Sequence, residues 1–188
     1  MNTINDITEF LNSETDINQV KLDKLFEMLY PEVKKIANIQ LSKILKTSEV
    51  TPTLLVNECY LKLNNSSNVN LQNRKHFFCL VSRCMRFHLI DLIRKQYKNN
   101  NQANNTQFSI TQISADDSTG IDLLELNHAL ERLETMDKEL LKIVELRFFG
   151  GFSLDEISEL LETNKAKVYR QWLLAKSILV NLIDEENE

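Results

Sequence analysis

Apolar residues recur every three or four positions along most of this chain, and polar stretches cut the pattern into helical segments. Over residues 22–46 the recurring positions are Leu22, Leu25, Phe26, Leu29, Val33, Ile36, Ala37, Leu41 and Leu45. They predict an amphipathic helix or helix pair, with Pro31 interrupting it or opening a new turn. Its other side carries Lys34, Lys35, Lys43 and Lys46. Residues 1–21 form a polar, acidic leader in which Ile4, Ile7, Phe10 and Leu11 are spaced for one short helix. Thr51-Pro52 is a start signal, an N-cap residue followed by proline at the first helical position. The helix it opens buries Leu55, Cys59 and Leu63, with Val56 and Tyr60 alongside, and leaves Asn57, Glu58 and Lys62 outside. After a polar loop at 64–73, a long helix is predicted from Arg74 to about Tyr97, with Phe77, Leu80, Val81, Cys84, Met85, Leu89 and Leu92 on its apolar side.

The stretch 98–122 is rich in Asn, Gln, Ser and Thr and reads as a flexible linker between two helical modules, residues 22–97 and 123–184. The second module opens with a helix carrying Leu123, Leu126, Leu130 and Leu133. Another begins near Met136-Asp137, carries Leu140, Ile143, Val144 and Phe148, and stops at Gly150-Gly151. Residues 150–172 then read as two helices around a tight corner. Ser153 and Glu156 have capping-box spacing, and Asn164 is a suitable N-cap for a second helix that turns Val168 and Trp172 inward. This is a helix-turn-helix pattern, although an ordinary helical hairpin has the same periodicity. Residues 185–188 are an acidic tail. With 3 Gly and 2 Pro in 188 residues, the expected fold class is all-α: two small helical domains and a connecting linker.

A net charge of −5 excludes a uniformly basic nucleic-acid coat, but the charge is unevenly placed. In the long helix Asp91 stands alone against Arg74, Lys75, Arg83, Arg86, Arg94, Lys95 and Lys98. A basic helix with interleaved aromatics suits phosphates and unstacked bases, while a merely solvated face is the plainer reading. Cys59, Cys79 and Cys84 lack zinc spacing and fit small buried thiols in a reducing compartment. His76, His88 and His128 are scattered, and the chain carries no phosphate-binding glycine loop and no catalytic triad pattern. The expectation is a cytoplasmic, non-enzymatic protein without metal or other cofactor, and without membrane insertion.

Several motifs in order resemble the ECF (extracytoplasmic-function) type of bacterial sigma factor within the sigma-70 family. They are TPTLLVNECYLKL at 51–63, NRKHFF at 73–78, LVSRCMRFHLIDLIRK at 80–95, LRFFGGFSLDEISELL at 146–161 and KVYRQWLLAKSIL at 167–179. The resemblance implies an alternative sigma factor that binds core RNA polymerase, recognises the −10 and −35 promoter elements and promotes transcription initiation. It makes Asn57, Glu58 and Lys62 contacts for the β′ clamp helices, and gives the second module the β flap as partner. Asn73, Arg74, Lys75, Arg83, Arg86, Arg94 and Lys95 would engage the −10 element, with the loop 66–73 holding a flipped base. Lys165, Ala166, Tyr169 and Arg170 would face −35 bases, with Lys167 and Lys176 near phosphates. An anti-sigma factor is a further partner of this type of protein.

Three positions depart from the family pattern. Glu162 stands at the corner where glycine is usual, which implies a reshaped turn, because a left-handed backbone costs Glu on the order of 1 kcal/mol. The basic run after Arg94 is diluted to RKQYKNNNQANN, which implies fewer phosphate contacts and weaker salt dependence. Asn57 replaces a histidine common in the subgroup. Two other classes stay open on the sequence: a helix-turn-helix regulator that never engages core polymerase, and a helical adaptor that has lost DNA binding. The regulator has no need of a strand-melting helix, while the net acidity and Glu162 are what keep the adaptor in view.

Overall fold

The structure, a computed structural model, describes residues 18–44, 50–66, 73–99, 107–108 and 121–186. It is all-α apart from one two-residue pairing. The helices are α1 (Asn18–Ile44), α2 (Pro52–Asn64), α3 (Arg74–Asn99), α4 (Leu123–Met136), α5 (Lys138–Phe148), α6 (Leu154–Leu160) and α7 (Lys165–Glu186). Between α3 and α4, β1 (Gln107–Phe108) pairs antiparallel with β2 (Ile121–Asp122). The rest of the expected linker, most of the leader and loop residues 67–72 lie outside the described residues. No described helix is long and apolar enough to cross a membrane.

Local signals place the helix starts. Thr51 caps α2 by accepting the Leu54 N–H at 3.2 Å, with Pro52 in the first turn where its missing donor costs nothing. Asp137 caps α5 by accepting from Glu139 N and Leu140 N at 2.8 and 3.1 Å. Asn73 opens α3 by accepting from His76 N at 2.8 Å. Pro31, by contrast, does not divide the first segment: α1 runs 27 residues through it. Glu27 and Pro31 are both exposed, so the carbonyl that loses its donor faces water rather than the core.

The buried side chains form one cluster that spans both halves of the chain. A file of edge-to-face aromatic rings crosses it, from Tyr60 through Phe26, Phe77 and Phe78 to Phe152, with centroids 5.2–5.4 Å apart. Each such pair adds about 0.5–1.5 kcal/mol to the area it buries. The first three rings lock α1, α2 and α3 together, and the last step joins α3 to the segment before α6. The helices before residue 100 and those after residue 122 therefore share a packed boundary.

Candidate nucleic-acid interface

The segment after Gly151 is held by backbone geometry that its side chains make possible. At the start of α6, Ser153 Oγ accepts the Glu156 N–H at 3.2 Å while the Glu156 carboxylate accepts the Ser153 N–H at 2.7 Å. That box holds the Glu156 carboxyl below its usual range, chiefly through the backbone hydrogen bond. At the other end, Thr163 N donates to Ser158 O at 2.9 Å and Glu162 N to Glu159 O at 3.1 Å. This bond pair is a Schellman motif, and it requires a left-handed residue at Glu162, where φ is 51°. The departure from glycine has not reshaped the corner; the backbone adopts the left-handed conformation with a glutamate in it. Asn164 then caps α7 through Oδ1, which accepts the Ala166 N–H at 2.8 Å.

From that corner α7 sorts its faces cleanly. Val168, Trp172, Ala175 and Leu179 are buried, with the Trp172 ring 5.5 Å from Phe148. Lys165, Ala166, Lys167, Tyr169 and Arg170 are exposed, and Lys176 is half-buried. Lys165 reaches back to Asp155 of α6 at 3.1 Å, an exposed pair across the corner. The helix thus presents a cationic face with one aromatic ring, beside N–H groups that favour anions.

On α3 the expected basic track divides. Asn73, Arg94 and Lys95 are exposed, and Arg74 and Lys75 are half-buried, with the Arg74 guanidinium 5.0 Å from the centre of the Phe78 ring. Arg94 is 4.0 Å from Asp91 on its own helix. Arg83 is only partly open and pairs with Glu134 of α4 at 2.7 Å. Arg86 is 0% exposed. Its guanidinium bonds Glu145 of α5 at 2.9 Å, Asn127 Oδ1 at 3.1 Å and the Asn127 carbonyl at 3.3 Å. The expectation that Arg86 lines an open face therefore needs correcting for this arrangement. Ile90, on the same line of the helix, is also buried, because α4 and α5 cover that side. Burial is the main influence on Glu145 and pushes its carboxyl up, against the downward pull of Arg86.

On α2 the expected contacts share a face: Asn57 and Lys62 are exposed and Glu58 is half-buried. Periodicity did not single out Leu54 and Leu61, which stand outward at 44% and 48% exposure on that same face. Their spacing of seven residues was the available signal. Beside them Glu58, Leu61, Lys62 and Asn65 line a cleft of about 370 Å³ with His88, Asp91, Leu92 and Lys95 of α3. The two candidate sets, one on α2 and one on α3, thereby meet. Burial lowers the His88 pKa, so that this wall of the cleft is neutral imidazole at pH 7.

A family model described as ECF sigma factor matches residues 4–184. The chain belongs to the ECF sigma factor family. No curated protein and no solved structure matches it. As an ECF sigma factor the chain is an alternative sigma factor for transcription initiation, in a regulatory rather than enzymatic class whose partners are RNA polymerase and promoter DNA. Among the described residues no His, Cys, Asp or Glu group is placed to hold a metal ion. Cys59 and Cys84 are buried and Cys79 half-buried, all as free thiols.

Proposed function

We propose that this sigma factor docks on the β′ clamp helices through α2, opens and holds the −10 element along α3, and reads the −35 element with the first turns of α7. The second helical group would meet the β flap, and the segment joining the two groups would let them span both promoter elements. The observation that carries this reading is the sorting of α7. Val168 and Trp172 anchor the helix while Lys165, Tyr169 and Arg170 stand free of the core, on a corner fixed by backbone bonds. A major-groove reader needs this combination of a rigid mount with outward donors and an apolar surface for thymine methyls. The exposed leucines on α2 give the docking face an apolar centre, as helix-on-helix recognition requires.

The test is reconstitution. The chain should co-purify with core RNA polymerase and direct a transcript from a promoter mapped by transcript starts after overexpression. Arg170→Ala should reduce that transcript by about five- to hundredfold, as the loss of about 1–3 kcal/mol for one specific base contact implies. Duplex binding without any association with core would instead identify a simple regulator and overturn the reading.

A further inference from the structure

We propose that Cys59 of α2 and Cys84 of α3 are a dithiol that hydrogen peroxide converts to a disulfide, and that this bond weakens docking on core polymerase. The effect on docking rests on the reading of α2 as the docking helix; the disulfide does not. Both thiols are free and buried, and Cys84 Sγ donates to the Cys59 carbonyl at 3.7 Å. The two sulfurs also hydrogen-bond one another, so neighbouring helices hold an oxidisable pair in contact. Their surroundings differ as those of a nucleophile and its resolving thiol must. The Cys59 S–H, donated to the Cys84 sulfur, holds the Cys84 thiol below its ordinary value against the effect of burial, and Lys62 adds to that pull. The same hydrogen bond, together with burial, pushes the Cys59 thiol up. Cys84 also keeps 5% of its surface open, against 0% for Cys59. Cys79, on the same helix as Cys84, is pushed up to about 11 by burial and serves as an internal reference.

The step balances with peroxide as the oxidant. The Cys84 thiolate attacks one peroxide oxygen, the O–O bond breaks, and the departing hydroxide takes up the thiol proton as water, leaving Cys84 as a sulfenic acid. The Cys59 sulfur then attacks the Cys84 sulfur, its proton leaves with the sulfenic hydroxyl as a second water, and the S–S bond forms. The two thiols together lose two electrons and the peroxide gains them. Bonding draws the sulfurs from contact to a covalent length of about 2 Å. Cys59 adjoins Glu58 on α2 and Cys84 lies one turn before His88 on α3, so the tie forms behind the cleft whose walls carry Glu58, Leu61 and Lys62 on one side and His88 and Asp91 on the other. It pulls the docking wall towards α3 and changes the spacing of the charges that a partner helix must meet.

The test treats the full-length chain with hydrogen peroxide, alkylates what remains free, and maps the peptides by mass spectrometry. The expected product is a Cys59–Cys84 cross-linked peptide two hydrogens lighter than its parts, formed before Cys79 is oxidised and reversed by dithiothreitol. In Cys59→Ala the cross-link is lost and dimedone traps the Cys84 sulfenic acid; if that variant loses its cooperative melt, the wild-type map alone decides. Oxidised wild-type chain should bind core polymerase about three- to tenfold more weakly than reduced chain, as for loss of an interface anchor, with recovery on reduction. Cys59 and Cys84 both still free once Cys79 has been oxidised would overturn the pair. A cross-link with unchanged core affinity would overturn its effect on docking. Reduced chain that fails to bind core would overturn the docking reading and leave the disulfide standing.

Discussion

The left-handed residue at the corner gives a quantitative handle on the mount of α7. Glu162 has φ 51°, and among the described residues it is the one non-glycine residue with positive φ. Its side chain is exposed, and the two Schellman bonds use only backbone atoms, so substitution changes strain without removing the motif. Left-handed backbone costs an ordinary residue about 1–2 kcal/mol. Replacement by glycine recovers that, less about 0.4–1 kcal/mol for the freer unfolded chain. The glutamate charge lies between the α7 N-terminus, which favours it, and the α6 C-terminus, which disfavours it, so the two dipole effects largely offset. The net for Glu162→Gly is therefore a gain of about 0.5 kcal/mol. At about 2–4 °C per kcal/mol for a chain this long, Tm rises by about 1–2 °C. Glu162→Asn should fall between Glu and Gly, and Glu162→Val should lower Tm by several degrees because a β-branched side chain fits this region worst. Glu162→Gln isolates the charge. Scanning calorimetry on the four variants checks the order Gly, Asn, Glu, Val. A Val variant as stable as the parent would refute the strain argument, since nothing else at this site distinguishes the two side chains so sharply.

The other expectations concern the cap and the docking face. In the box that opens α6 the Glu156 carboxyl has a lowered pKa, so its contribution is present above the ordinary carboxylate value of 4.5 and is lost as pH falls through the lower folded value. Glu156→Gln should thus melt below wild type at pH 7, by about 1–2 °C given an exposed cap worth roughly 0.5 kcal/mol, and the difference should vanish in acid; a gap that persists at pH 2 would count against the box. On α2, Leu61→Asp should cut affinity for core polymerase by about three- to tenfold, as loss of the half of an apolar anchor still open to a partner implies when full burial is worth about 1.5–3 kcal/mol, without shifting Tm by more than about 2 °C because Leu61 is 48% exposed. Equal binding by the folded variant in a pull-down titration would move the docking face elsewhere.

The parts of the fold that were legible in the sequence are those decided by neighbours in the chain. Thr51 with Pro52, Ser153 with Glu156, and Asn164 each act within three residues, and each starts a helix where its local chemistry says it should. Pro31 misled because a local rule was read without its surroundings: on an exposed face a missing donor is cheap. At the candidate site the same division holds. The outward residues of α7 follow from helical spacing, whereas the fate of Arg86 depends on partners 41 and 59 residues away. Periodicity correctly put Arg86 off the main apolar line of α3. It could not show that a second apolar and acidic surface would close over that line.

This division also bears on the charge of the protein. Its 27 acidic residues exceed its 22 basic ones, which by itself argues against a DNA-binding surface. Charge acts locally, however, within a Debye length of about 10 Å at 0.1 M salt. Two of the carboxylates, Glu134 and Glu145, sit directly on arginines of α3 and offset the charge of Arg83 and Arg86 where those side chains pack. No carboxylate pairs in the same way with Lys167 or Arg170 among the described residues, and both stand exposed on α7. An acidic sum is therefore compatible with a locally basic surface, because what a charged ligand meets is set by the neighbours within a Debye length and not by the total.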